Sequence, residues 1–287
     1  MKPPSADAAT DLRRPIGVFD SGVGGLAVLR ELRHALPNEA LIYVADSAFA
    51  PYGERDRESI VERSAIITRF LLEQDVRAVL VACNTATVVA ASALRAWCPV
   101  PVVAMEPAIK PAAQASQSRR IAVLATRQTV ASENVARLVA QHGEACHIEL
   151  IACPGLVECV ERGALEAAET CALLEHFLRP ALARGADAVV LGCTHYSFLR
   201  PQIAALAGPE VQLFDPAAAV VRQLLRQIGV ASPQPAGAAG GERFFTSAAP
   251  AAAQPLMSRL WGRPLSVAAL ASAECGGRVS ETATPKR

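Results

Sequence analysis

Two cysteines of this 287-residue chain stand where α/β proteins carry out chemistry. Cys83 follows the apolar run AVLVA (78–82) and Cys193 follows AVVLG (188–192), so each is placed at the carboxyl end of a buried strand, where open parallel sheets bind ligands. Each is expected to precede a helix, whose positive end favours a thiolate. A single cysteine in such a place is as readily a small core residue. Two at matching places argue for chemistry, and the polar neighbours add to it. Asn84 and Thr85 follow the first thiol, Thr194 and His195 follow the second, and Asp20 with Ser21 ends the strand PIGVFD ahead of a glycine-rich helix start. Inverting a stereocentre by proton transfer needs a base on one face of the carbon and an acid on the other. Two thiols across a cleft meet that need, because a free thiol of pKa about 8.5 can be tuned to either protonation state. Backbone N–H groups at helix starts hold a carboxylate, and Asp20 is suited to orienting an ammonium or assisting a thiol. His195 beside a reactive thiol is read as functional rather than structural.

The elements that must position these groups are strands alternating with helices. PIGVFD (15–20) is followed by Ser-Gly-Val-Gly-Gly and a segment with Leu26, Leu29, Leu32 and Leu36 on one helical face; ALIYVAD (40–46) is the next strand. IGVFDSG (16–22) is echoed by IAVLATR (121–127), VLVACNT (79–85) by VVLGCTH (189–195), and VAMEPA (103–108) by QLFDPA (212–217). Three echoes in one order at nearly one offset mark an internal duplication. The expected fold class is α/β: two similar α/β domains with mainly parallel sheets, and an active site in the cleft between them. The expected boundaries are 15–106 plus 215–271 for the first domain and 107–214 for the second. Residues 1–14 and 272–287 are expected to be disordered termini. A helix with Val220, Val221, Leu224 and Leu225, a Pro- and Gly-rich loop at 232–242, the strand RFFTS (243–247) and a last helix and strand are assigned to the first domain. The glycines of DSGVGG are read as serving the turn, since the pattern is not that of a dinucleotide site.

Composition narrows the partners. With 28 basic and 27 acidic residues the net charge is +1, which gives no pull toward nucleic acid or an anionic membrane. No apolar run is of membrane-spanning length and the first residues lack a signal-peptide core, so a cytoplasmic protein is expected. The eight cysteines show no zinc-type spacing. Cys98, Cys146, Cys153, Cys159, Cys171 and Cys275 are taken as structural, and no metal or cofactor is expected.

The blocks FDSGVGGL (19–26), ADSAFAPYGERD (45–56), ACNTAT (82–87), CPGLVECVE (153–161), GCTHYSFL (192–199), FDPA (214–217) and FFTS (244–247) together resemble the glutamate racemases of the aspartate/glutamate racemase family. The resemblance implies cofactor-independent interconversion of L- and D-glutamate, supplying D-glutamate for peptidoglycan. It implies that Cys83 exchanges the proton of D-glutamate with support from Asp20, and Cys193 that of L-glutamate with support from Glu161 and His195. Substrate contacts would fall to Asp20, Ser21, Tyr52, Gly53, Asn84, Thr85, Thr194 and His195, with Thr126 a lesser candidate because Ala125 replaces the family's usual glycine. Glu158 and Ser197 stand where the family often has proline. A homodimer and a muramyl-nucleotide effector belong to the same set of expectations. The alternatives are a two-cysteine racemase acting on aspartate or another small amino acid, and a non-catalytic regulatory protein on the same scaffold.

Overall fold

The computed structural model describes residues 14–143, 146–230 and 240–270. Most of the expected Pro- and Gly-rich loop, Cys275 and all but one residue of the two expected disordered termini lie outside the described residues. The apolar runs form strands β1 (Ile16–Asp20), β2 (Leu41–Ala45), β3 (Ala78–Val81) and β4 (Val102–Ala104), then β5 (Arg120–Ala125), β6 (His147–Ala152), β7 (Ala188–Gly192) and β8 (Gln212–Phe214), and finally β9 (Glu242–Thr246) and β10 (Val267–Ala269). Continuous rather than alternating burial of β1, β2, β3 and β7 is what a parallel sheet covered on both faces demands.

Two sheets result. The first has the order β10-β9-β2-β1-β3-β4 and the second β6-β5-β7-β8, and all pairings within them are parallel. The run β2-β1-β3-β4 is repeated as β6-β5-β7-β8, so the sequence echoes fall on equivalent strands of a duplicated unit. In each copy the order reverses between the first and third strands. That reversal opens a crevice beyond their carboxyl ends, where Asp20 and Cys83 lie in one half and Thr126 and Cys193 in the other. The material after β8 adds helix Ala217–Gln227, which packs on helix Leu26–Ala35, and the strands β9 and β10, which extend the first sheet beyond β2. One apolar cluster runs through both halves, from Val18, Leu80 and Leu29 to Leu124, Leu191 and Leu178.

One local expectation is corrected. After Cys83 an α-helix does begin, Asn84–Arg95. After Cys193 the chain instead makes a 3-10 segment, Thr194–Leu199, and the α-helix starts only at Arg200, with proline in its first turn. A proline is pre-set for that position, and the helix start is drawn several residues past the thiol.

Candidate active site

Cys83 is the N-cap of helix Asn84–Arg95. Its sulfur accepts from the Ala86 backbone N–H at 3.4 Å and lies 3.6 Å from the Ser21 hydroxyl. The helix start was expected to favour a thiolate, and this N–H does act that way. Burial and then the charge of Asp20 outweigh it and push the Cys83 thiol up, with the charge of Cys193 acting in the same direction. These effects favour the thiol form of Cys83. Asp20 ends β1 fully buried, its Oδ2 accepting from Gly25 N–H at 2.7 Å and from the Thr194 hydroxyl at 3.3 Å. Burial raises its pKa against the lowering effect of His195 and its hydrogen bonds.

Cys193 lies 3.7 Å from His195 Nδ1, and His195 Nε2 is 2.6 Å from Glu161 Oε1. The same carboxylate oxygen accepts from the Val23 N–H at 2.8 Å, which ties helix Leu156–Glu161 to the loop after β1. Burial alone would depress the His195 pKa; hydrogen bonds to Cys193 and Glu161 and their charges raise it well above the ordinary value. A raised imidazole pKa favours positive charge beside Cys193, the counter-charge a thiolate needs. Tyr196, next in the segment, is buried and bonds the Cys153 carbonyl, fixing the backbone that follows Cys193.

The two halves meet through groups too close to admit a side chain. A Cβ on Gly22 would stand 1.8 Å from Glu161 Oε1 and one on Gly24 2.4 Å from His195 Nδ1, while one on Gly25 would stand 2.7 Å from the Asp20 Cβ within the first half. None of the three has a positive φ. The sequence reading gave these glycines to the turn; the structure gives Gly22 and Gly24 to the close approach of Glu161 and His195 to the loop after β1, and Gly25 to the packing of that loop on Asp20. Across the cleft the Thr85 and Thr126 hydroxyls are 2.9 Å apart, and Thr129, which the sequence did not single out, closes the triangle at 3.0 Å from Thr126.

Other expected ligand contacts divide. Both polar atoms of the Asn84 side chain, and Asp20 Oδ1, are buried without a hydrogen-bond partner. Orphaned atoms of this kind are costly unless a ligand or water completes them, so both residues are free to hold one. Tyr52 is committed elsewhere: its hydroxyl donates to Asp46 Oδ2 at 2.6 Å, and Arg63 pairs with the same carboxylate. That leaves the adjoining Gly53, whose Cβ position would lie 2.7 Å from Thr126, to form the cleft wall. Among the described residues no group of three or more His, Cys, Asp or Glu is arranged to hold a metal ion.

Two sulfurs at equivalent strand ends, each with a titratable companion from its own half, form the candidate site. The model of the Asp/Glu/Hydantoin racemase family matches residues 16–224, and the chain belongs to that family of isomerases. A glutamate racemase of Pseudomonas aeruginosa is 49% identical over 256 residues, covering 89% of this chain and 97% of the relative. Among solved structures, the glutamate racemase isoform RacE1 of Bacillus anthracis matches with a TM-score of 0.81 at 28% identity, covering 90% of this chain and 98% of that one. The Escherichia coli glutamate racemase, solved with L-glutamate and the activator UDP-MurNAc-ala, matches with a TM-score of 0.78 at 33% identity, covering 89% of this chain and 97% of that one.

Proposed function

We propose that this protein interconverts L- and D-glutamate by direct proton transfer between Cys193 and Cys83, and that it supplies D-glutamate for peptidoglycan. The observation that carries the reading is the placement of two sulfurs at equivalent strand ends with unlike companions, Asp20 and Ser21 around Cys83 and His195 backed by Glu161 beside Cys193. With L-glutamate, Cys193 is the base on one face of the α carbon and Cys83 the acid on the other. Cys193 takes the α proton, the electron pair passes to the carboxylate-stabilised carbanion, and Cys83 supplies a proton from the opposite face. D-glutamate reverses the roles. Each crossing breaks one C–H bond and forms one, so no oxidant or reductant is consumed. Asn84 and Asp20 Oδ1, buried and unpaired, are suited to the substrate's carboxylate and ammonium, with Ser21, Thr85, Thr194 and the Gly53 backbone around them.

The same proposal includes the division of the chain into 15–106 plus 215–271 and 107–214, a cytoplasmic site of action, a homodimer, and a response to muramyl nucleotides of the kind bound by the Escherichia coli relative. No described helix is long and apolar enough to cross a membrane. Identity to glutamate racemases over most of the chain favours glutamate over aspartate. The test is chiral chromatography of L-glutamate and L-aspartate incubated with purified protein, with and without UDP-MurNAc-ala. Formation of D-glutamate well ahead of D-aspartate is expected. Preferential turnover of aspartate, or none of either, overturns the reading.

A further inference from the structure

The loop 21–25, which joins β1 to helix Leu26–Ala35, is touched by both halves of the site. Ser21 lies 3.6 Å from the Cys83 sulfur, and the Gly25 N–H donates to Asp20 Oδ2 at 2.7 Å. On its other side the Val23 N–H donates to Glu161 Oε1 at 2.8 Å, and Gly24 leaves no room for a methyl beside His195. A shift of this loop displaces the companions of both sulfurs together. With glycine at three of its five positions, the loop has little side chain of its own to resist one. Tyr43 of β2 supplies the restraint from behind. It is 0% exposed and donates its hydroxyl to the Gly22 carbonyl at 2.7 Å, and a Cβ on Gly25 would stand 3.0 Å from the same oxygen. Its ring is packed edge-on against Phe244 of β9 at 6.4 Å between centroids, and Phe244 against Trp261 at 5.5 Å. The duplicated half has no counterpart. Tyr43 is the β2 partner of Val18, whereas the β6 partner of the equivalent Val123 is Leu150. Leucine meets the packing need at that place, so the phenol hydroxyl has a use beyond packing.

Resting on the racemase reading above, we propose that Tyr43 is a positioning residue for both proton transfers: through the Gly22 carbonyl it fixes the loop 21–25, so that Asp20 and Ser21 stay on Cys83 while Glu161 and His195 stay on Cys193. Tyr43 acts through the backbone and transfers no proton. Burial and then the charge of Asp20 hold its own proton in place, so it remains a donor to Gly22 throughout the cycle.

The test is Tyr43→Phe, which keeps the ring and removes the hydroxyl. With the Gly22 carbonyl unpaired the loop relaxes, and kcat should fall at least about tenfold from L- and from D-glutamate with KM within about threefold of wild type. The α-deuterium isotope effect on kcat/KM should rise for both enantiomers, because proton transfer takes a larger share of the barrier. Tyr43→4-aminophenylalanine, which restores a donor, should bring kcat and the isotope effects back toward wild type. Loss of stability alone lowers Tm and leaves the isotope effects where they were, as Asp187→Ala, at the far end of β7 from Cys193, should show. Unchanged isotope effects in Tyr43→Phe, whatever the change in kcat, or a rise confined to one enantiomer, overturn the positioning role while wild-type turnover still upholds racemisation. A Tyr43→Phe chain that does not fold places the hydroxyl in folding and overturns it too. A wild-type protein that does not racemise glutamate overturns both. The isotope effect is a ratio read from active molecules alone, so a partly misfolded preparation still decides the matter.

Discussion

At the scale of residues, the proposed mechanism rests on two sulfurs that are covalently alike and have unlike companions. Cys83→Ala and Cys193→Ala should each reduce racemisation by at least about 10³-fold, since each removes the sole acid or base on one face; chiral chromatography against wild type reads the loss, and a variant with near-normal turnover in both directions would break the pairing. Gly24→Ala tests the close approach of the halves. Its methyl would overlap His195 Nδ1 and the Thr194 hydroxyl, within 2.4 and 2.5 Å, and overpacking of this kind costs about 1–3 kcal/mol. Denaturant melts should show that loss, with kcat/KM falling at least about tenfold as His195 is displaced from Cys193. The sulfurs, Asn84 and His195 were legible from types placed after apolar runs. Glu161 entered only through the resemblance, because it lies 32 positions before Cys193 on a different helix. The glycines' true constraint and Thr129 were not legible, because both arise from atoms that meet across the cleft and leave no local pattern.

At the scale of elements, β1, β2, β3 and β7 could be read because burial on both faces leaves unbroken apolar runs, whereas the 3-10 segment after Cys193 hid behind a sequence that is as compatible with a helix. Joints between elements show how the second half is held. Asp187, just ahead of β7, accepts from the Ser116 hydroxyl at 2.5 Å and from the Gln117 and Ser118 N–H groups at 2.7 Å each, pinning the chain as it enters β5. Burial would raise the Asp187 pKa, but these hydrogen bonds outweigh it and lower it. A carboxylate depressed in the folded state stabilises at pH above its unfolded value, near 3.9, and that contribution disappears as pH falls through the folded value. Asp187→Ala should therefore cost about 1 kcal/mol at pH 7, allowing for solvent screening, and the gap to wild type should narrow below pH 4 in urea melts taken across that range.

At the scale of the whole molecule, the active site is shut: Cys83 and Cys193 are 5% and 6% exposed, while Cys171 is on the surface. Iodoacetamide should label Cys171 first without loss of activity. Inactivation should follow later modification of Cys83 or Cys193, and glutamate should slow only that phase, as peptide mass mapping over time would show. Loss of activity in step with Cys171 would contradict a closed cleft. The apolar cluster that joins Val18 and Leu80 to Leu124 and Leu191 couples the two sheets, although Phe19, Ile42 and Leu71 form a separate cluster in the first half and Ile109, Val123 and Val190 one in the second. Calorimetry should give one unfolding transition whose van't Hoff and calorimetric enthalpies agree, not two. It also limits how substrate gets in. Wetting that shared surface costs about 25 cal/mol for every Å² of it, so a wide parting of the halves is energetically steep, and a slight swivel that lifts the Gly53–Thr126 rim and leaves the greasy side seated is cheap. Any opening that admits substrate is expected to leave that seam closed, so that its stiffness, more than any single bond at the rim, would set how often the cleft is accessible.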